Sequence, residues 1–177
     1  VKDGMTIMVG GFLSVGGPNA VLHAIAETGV KDLTVIANDG GQPRFENGLH
    51  ELIHNGQVKH LIATHIGVNP EVGQMMNAGT MKVTLVPQGS LAEKVRAGGY
   101  GLGGVLTPTG LGTPVGEEAG KEVITVNGKE YLLEEPLRAD IAICYGTTTD
   151  AYGNTKYHGT TRNFNTVMAT AADVVIM

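Results

Sequence analysis

Met5-Thr-Ile-Met-Val-Gly-Gly-Phe-Leu-Ser-Val-Gly-Gly-Pro18 is the stretch from which the fold can be read. Thr6 to Val9 is a short apolar run rich in β-branched residues, the pattern of a strand buried on both faces. Four glycines follow within eight residues, and the pattern turns helical after Pro18. A strand, a glycine loop and a helix N-terminus, in that order, make an anion site in open α/β folds. Glycine lets the backbone approach a ligand closely, and the helix start offers free N–H groups and a positive dipole end. The plain alternative is a tight strand-to-helix turn that binds nothing, since glycine-rich turns are common.

Working outward, Val21, Leu22, Ile25 and Ala26 recur at helical spacing, and Gly29 closes that helix. Leu33 to Ala37 reads as a second buried strand, with Asn38 and Asp39 at its C-terminal end, where α/β folds place ligand groups. Gly40 to Gly48 is a loop, and a short helix over Leu49 to His54 ends at Asn55-Gly56. Leu61 to Thr64 is the third strand, with Gly67 and Asn69 just beyond it, and Pro70 opens the next helix as a first-turn proline should. Lys82 to Val86 is the fourth strand. Pro87-Gln88-Gly89 follows, then Ser90 with Glu93 three residues on reads as a capping box. Four such βα units predict an α/β fold: an open, mainly parallel sheet with helices on both faces.

The second half differs. Gly98 to Gly112 is glycine-dense. Val123 to Val126, Asn127-Gly128 and Glu130 to Leu133 predict a β-hairpin insertion, because Asn-Gly favours a type I′ turn. Ile141 to Tyr145 is another core strand, 163–172 reads as helical, and Val174 to Ile176 as a last strand. No linker is long or polar enough to divide the 177 residues, so one domain over 1–177 is expected.

Charged residues make up 16% of the chain, below the usual quarter, which suggests some surface made to be covered by a partner. The net charge of −5 argues against nucleic-acid binding, and an anionic ligand would need local donors. No stretch approaches the ~20 apolar residues of a membrane span, and no signal peptide is read. Cys144 is the only cysteine, so no intramolecular disulfide can form. Inside the apolar run Ile141 to Tyr145 it reads as a small buried hydrophobe, not a nucleophile.

Two motifs invite other readings. His50-Glu51-Leu52-Ile53-His54 fits His-Glu-x-x-His, in which two imidazoles four apart on a helix grip zinc. The helix ends one turn later, and no third ligand stands at the usual spacing, so no metal site and no zinc hydrolase is expected. Gly99, Gly101 and Gly104 form Gly-x-Gly-x-x-Gly, but between a helix and a strand. The dinucleotide fingerprint follows a strand and opens a helix, so a nicotinamide or flavin is not expected.

Several ordered motifs together resemble the family I coenzyme A transferases, and within them the α subunit of the acetate/acetoacetate/butyrate type. They are Asp3-Gly4 with Ile7-Met8-Val9, Gly10-Gly11-Phe12, Gly16 and Pro18; Ile36-Ala37-Asn38-Asp39; and His65 to Glu71. Val86 to Leu91, Thr107-Pro108-Thr109-Gly110 and Arg162-Asn163-Phe164-Asn165 complete the set, spread over nearly the whole chain. By that resemblance the chain is trimmed at both ends.

The resemblance implies a cytoplasmic hetero-oligomer, α2β2 or higher, with a β subunit carrying the catalytic glutamate. It implies no resident cofactor, with coenzyme A thioesters and short carboxylic acids as substrates. Exchange would run by a ping-pong route through a glutamyl-CoA thioester on the partner. Gln88 would be the oxyanion donor. Gly10, Gly11 and Phe12 would wall the acyl pocket, with backbone N–H groups from Gly10 to Gly16 near substrate or CoA. Asn38, Gly67 and Asn69, chosen by their strand-end positions, would be rim residues, and Arg162 to Asn165, although they match a family motif, structural. Glu46-Asn47-Gly48 has the look of the family's catalytic tripeptide but lies in the wrong half, so a loop turn is expected there. The alternative function is a ligand-binding or regulatory module of the same fold without transferase chemistry.

Overall fold

A computed structural model describes residues 1–45, 47–117 and 120–177. Six strands form one parallel sheet: β1 (Thr6–Val9), β2 (Leu33–Ala37), β3 (Val58–Ala63), β4 (Lys82–Leu85), β8 (Ala139–Ile143) and β11 (Ala172–Ile176), in the order β11-β8-β1-β2-β3-β4. Ile7 pairs with Val35 on one side and Ile141 on the other. The chain therefore builds the sheet from β1 out to β4, then returns to lay β8 and β11 against the opposite side of β1. The strand order reverses between β1 and β8. In open α/β sheets, that is where a crevice opens outside the carboxyl ends of the strands.

Both faces of the sheet are covered, which is why the strands read as continuous apolar runs. Alternate β1 side chains serve opposite layers. Ile7 and Val9 pack with Leu22 and Ile25 of α1 (Asn19–Thr28), Leu52 and Ile53 of α2 (Leu49–His54) and Val72 of α3 (Pro70–Asn77). Met8 and Ile36 join Leu91 and Val95 of α4 (Gln88–Gly99) and Met168 of α6 (Asn165–Met168). Gly29 closes α1 in the left-handed conformation, and Asn69 caps α3 ahead of Pro70.

Between β4 and β8 lies a second, antiparallel sheet in the order β5-β7-β6, formed by β5 (Val105–Thr107), β6 (Val123–Val126) and β7 (Lys129–Glu134), with α5 (Pro114–Glu117) between β5 and β6. Asn127 and Gly128 both have positive φ, as the type I′ turn of the expected hairpin requires. Glu134, fully buried, accepts from Lys94 Nζ of α4 at 2.8 Å and from Lys121, tying this sheet to the main domain. Burial alone raises the Glu134 pKa; the two lysine hydrogen bonds outweigh it and leave the carboxyl below the ordinary range. A two-stranded ribbon, β9 (Thr148–Thr149) and β10 (Thr155–Lys156), precedes a 3₁₀ turn over Gly159–Arg162.

Three local expectations are corrected. β3 starts at Val58, not Leu61: exposed Lys59 and half-buried His60 belong to the strand, so its polar first half does not read as part of an apolar run. The helix expected over 163–172 is only Asn165–Met168, since Ala172 already pairs with Ala139 in β11. Ser90 does not cap α4: the helix begins at Gln88 behind Pro87, whose φ of −51 starts it three residues earlier than a Ser90 cap would, and no side chain caps it.

Candidate functional site

The glycine loop leaves the end of β1 at the strand-order reversal and runs to the start of α1. Its tip is a tight turn. Phe12 and Val15 exchange both backbone hydrogen bonds, at 3.0 and 2.9 Å, around Leu13 and Ser14. Those two non-glycine residues sit at φ +49 and +66, a left-handed pair costing roughly 1–3 kcal/mol each unless the surroundings impose it.

The loop is not the open cradle of N–H groups that the sequence suggested. Gly10 N–H donates to Ile143 O, Gly11 to Asn163 Oδ1, Phe12 to Val15 O, Leu13 to Asp39 Oδ2 and Val15 to Phe12 O. Among the described residues, the N–H groups of Ser14, Gly16 and Gly17 are the ones left without an acceptor in the chain. The loop is a stiff wall with few donors to offer, not a phosphate grip of the P-loop kind.

Side chains hold this wall from two sides. On the β2 side, buried Asp39 accepts from Leu13 N, Gly41 N and Asn38 Nδ2 at 2.8–2.9 Å, and Gln42 Nε2 donates to Leu13 O at 3.2 Å. Both Asp39 oxygens are thus committed to the fold. On the β8 side, fully buried Asn165 accepts from Tyr145 N at 2.8 Å and donates to Gly16 O at 3.0 Å. Its oxygen fills the place a Cβ at Gly10 would take, and its nitrogen lies 3.2 Å from the Cβ position of Gly16. Neither glycine can carry a side chain.

Gly10, Gly11, Phe12 and Asn38 do meet around one cavity, together with Asp39 and Gln42. Its volume is about 30 Å³, room for little more than water. An acyl group does not fit in the space between the loop and the end of β2. On the β8 side of the loop an apolar groove of about 360 Å³ runs between the first turn of α1 and Cys144, Tyr145 and Gly146. Tyr145 and Gly146 of this lining were not among the residues singled out in the sequence. The signal that could have found them is their place after a core strand next to β1.

Gly67, Asn69 and Gln88 stand on the same strand-end edge, outside that cavity. Asn38 is buried beneath the loop and accepts from Thr64 Oγ1 at its backbone oxygen, at 2.8 Å. Asn69 is not a rim residue. It is fully buried, capping Glu71 N and donating to Gly40 O at 2.9 Å. Gly67 is exposed, with open space around its Cα. Gln88 follows β4, three strands from Gly10, which places it about 14 Å along the edge at ordinary strand spacing. It is exposed, and among the described residues its side-chain amide makes no hydrogen bond. Ser90, in the first turn of α4, has a buried hydroxyl without a partner among the described residues, beside a cleft of about 500 Å³ between α4 and β5.

The other motifs have fold-level roles. Glu51 meets His23 of α1 at 3.0 Å and His54 meets Glu71 of α3 at 3.1 Å, so the His-Glu-x-x-His side chains link neighbouring helices; among the described residues no cluster suited to a metal forms. Cys144 is buried, and burial pushes its thiol up to about 12, far from a thiolate nucleophile. Gly99 ends a helix and Gly104 precedes a strand, the inverse of the dinucleotide context. Glu46 lies outside the described residues. Asn47 and Gly48 line the small cavity, both at positive φ.

Residues 1–177 match the family described as Coenzyme A transferase. The chain is 52% identical to the acetate CoA-transferase subunit alpha of Escherichia coli (strain K12), covering 99% of this chain and 78% of that protein. It is also 52% identical to the acetoacetyl-CoA:acetate/butyrate CoA transferase alpha subunit of Clostridium acetobutylicum, covering 99% and 79%. In three dimensions it resembles an acyl-CoA transferase from E. coli O157:H7, solved as a thioester complex with CoA. That likeness has a TM-score of 0.83 at 21% identity and covers 99% of this chain and 40% of the other, which speaks for the fold.

Proposed function

The chain belongs to the coenzyme A transferase family and is of its α-subunit type, and on that premise we propose that it moves CoA between short acyl groups and carboxylic acids of acetate, acetoacetate or butyrate size, with a β subunit supplying the nucleophile. The carrying observation is half identity, over almost the whole chain, to two α subunits named for those acids.

The site's own chemistry supports a divided active site. Among the described residues, Asp39 is the carboxylate at the glycine loop, and three hydrogen bonds from the fold occupy it. On this reading the free carboxylate comes from the partner. The partner's glutamate attacks the thioester carbonyl and CoA thiolate leaves, giving a mixed anhydride. The thiolate then attacks the glutamyl carbonyl and releases the acid, leaving a glutamyl-CoA thioester; an incoming carboxylate reverses both steps.

Each attack puts negative charge on a carbonyl oxygen. The uncommitted Gln88 amide is the donor assigned to it, acting from the strand-end edge as a neutral dipole. The glycine loop with Gly10, Gly11, Phe12 and Gly16 forms a wall of the site, held in place by its hydrogen bonds to Ile143, Asn163 and Asp39. Gly67 belongs to the exposed rim, open to CoA or the partner.

Leu85 of edge strand β4 and Val174 and Val175 of edge strand β11 are exposed apolar side chains, the kind of surface an obligate partner covers. Among the described residues no helix is long and apolar enough to cross a membrane. A single buried cysteine and CoA thioester substrates fit a cytoplasmic enzyme.

The test is an exchange assay on this chain assembled with its β-type partner, using butyryl-CoA or acetoacetyl-CoA and labelled acetate. Formation of labelled acetyl-CoA is expected. A folded assembly that transfers CoA to none of these acids would refute the transferase reading in favour of a binding module of the same fold.

A further inference from the structure

The glycine loop cannot hold its own shape. It contains four glycines and a left-handed Leu13-Ser14 pair, so its conformation must be imposed by what surrounds it. On the β2 side the constraint is Asp39 with Gln42. On the β8 side it comes from two asparagines about 150 residues away in the chain. Asn163 Oδ1 accepts from Gly11 N at 3.1 Å, while its Nδ2 donates to Val15 O at 3.0 Å and Thr160 O at 2.8 Å. Asn165 Nδ2 donates to Gly16 O, to Thr161 O and to Asn163 Oδ1, at 2.8–3.2 Å, and its Oδ1 accepts from Tyr145 N.

We propose that Asn163 and Asn165 are positioning residues for CoA transfer, holding the glycine loop in the shape that forms the substrate wall. The inference rests on the transferase reading above. The chemistry requires asparagine: each side chain must accept a backbone N–H and donate to backbone carbonyls at once. An aspartate lacks the donors, and a leucine of similar size lacks both. Asn163 spans the tight turn by gripping Gly11 before it and Val15 after it. Asn165 joins the end of β8, through Tyr145 N, to Gly16 on the loop leaving β1. The pair thereby fixes the two strand ends on either side of the strand-order reversal, where the groove at Tyr145 opens. Packing alone would not need seven polar contacts on two side chains.

The decisive variant is Asn163→Asp in the full chain assembled with its partner. It keeps the acceptor for Gly11 N but loses the donors to Val15 O and Thr160 O. Because small displacements of a positioned substrate cost up to about 100-fold, kcat/KM should fall roughly 10- to 100-fold, with KM for the carboxylate acceptor raised. Hydrogen exchange should quicken at the Gly11, Leu13 and Val15 amides while the β1 amides stay protected. If Asn163→Asp fails to fold, Asn163→Ser, which retains a short donor and acceptor, carries the same measurement.

Unchanged exchange at the loop, or a loosened loop with unchanged kcat/KM, overturns the positioning role. So does a fall in kcat that only tracks lost folded protein with KM unchanged. A wild-type assembly unable to transfer CoA refutes the transferase reading itself, and the positioning role with it. That outcome is distinct from wild-type activity with an unaffected variant.

Discussion

The side-chain oxygen of Asn165 occupies the space that a Cβ at Gly10 would need. The first residue after β1 is therefore glycine for want of room, because the asparagine that fills the room is committed to Tyr145 and Gly16. Gly10→Ala should destabilise the chain by about 1–3 kcal/mol, as overpacking does, with a lower urea midpoint. Gly67→Ala is the contrast. The space there is open, and stability should move by less than about 0.5 kcal/mol. Equal midpoints for the two variants would contradict the packing at Gly10.

Gln88 is exposed and makes no side-chain hydrogen bond among the described residues. Gln88→Ala should leave the melting temperature nearly unchanged while turnover of the assembled enzyme falls by ~10²–10³, the usual effect of removing one oxyanion donor. A full-rate variant would remove Gln88 from the chemistry.

Much of the fold was legible because the sheet is buried on both faces. Thr6–Val9 and Leu33–Ala37 are continuous apolar runs with sharp polar or glycine ends, and the Leu49–His54 helix is closed by Asn55-Gly56. The Asn127-Gly128 hairpin was readable from its turn chemistry. What was not legible depended on partners distant in sequence. A serine followed three residues later by glutamate has the pattern of a capping box, but Pro87 sets the start of α4 earlier and leaves Ser90 inside it. Asn69 looked like a strand-end ligand residue, and only the folded chain shows that Gly40 O claims its amide. The glycine loop looked like an anion cradle. Its N–H groups are used by Ile143, Asn163 and Asp39, none of which local pattern could pair with it.

Glu134 sits between two lysines that are themselves mostly buried. Glu134→Gln leaves Lys94 and Lys121 without a counter-charge, and should cost about 3–5 kcal/mol in chemical denaturation. Because the folded carboxyl lies below the ordinary range, its contribution is present above the unfolded value and is lost as pH falls through the folded one. The variant should therefore flatten the wild-type loss of stability below about pH 4.5. An unchanged acid limb would contradict the pairing.

His60 bridges β3 to Thr84 of β4 through Nε2 at 2.9 Å. Burial first, and Lys82 second, lower its pKa below 6.5 in the folded chain. Neutral imidazole is the favoured form, so its contribution is complete above pH 6.5 and is lost as pH falls through the folded value. Melting temperatures at pH 8 and pH 5 should differ more for the wild type than for His60→Gln. Parallel losses would show that His60 does not couple to folding.

The central claim is that this chain supplies the oxyanion donor and the site wall while the nucleophilic carboxylate comes from the partner. The direct measurement is to incubate the assembled enzyme with acyl-CoA, trap the enzyme thioester with borohydride or hydroxylamine, and locate the label by mass spectrometry. The label should fall on a glutamate of the partner, and this chain incubated alone should acquire none. A label on Glu46 or Asp39, or CoA exchange by the isolated chain, would contradict the divided site.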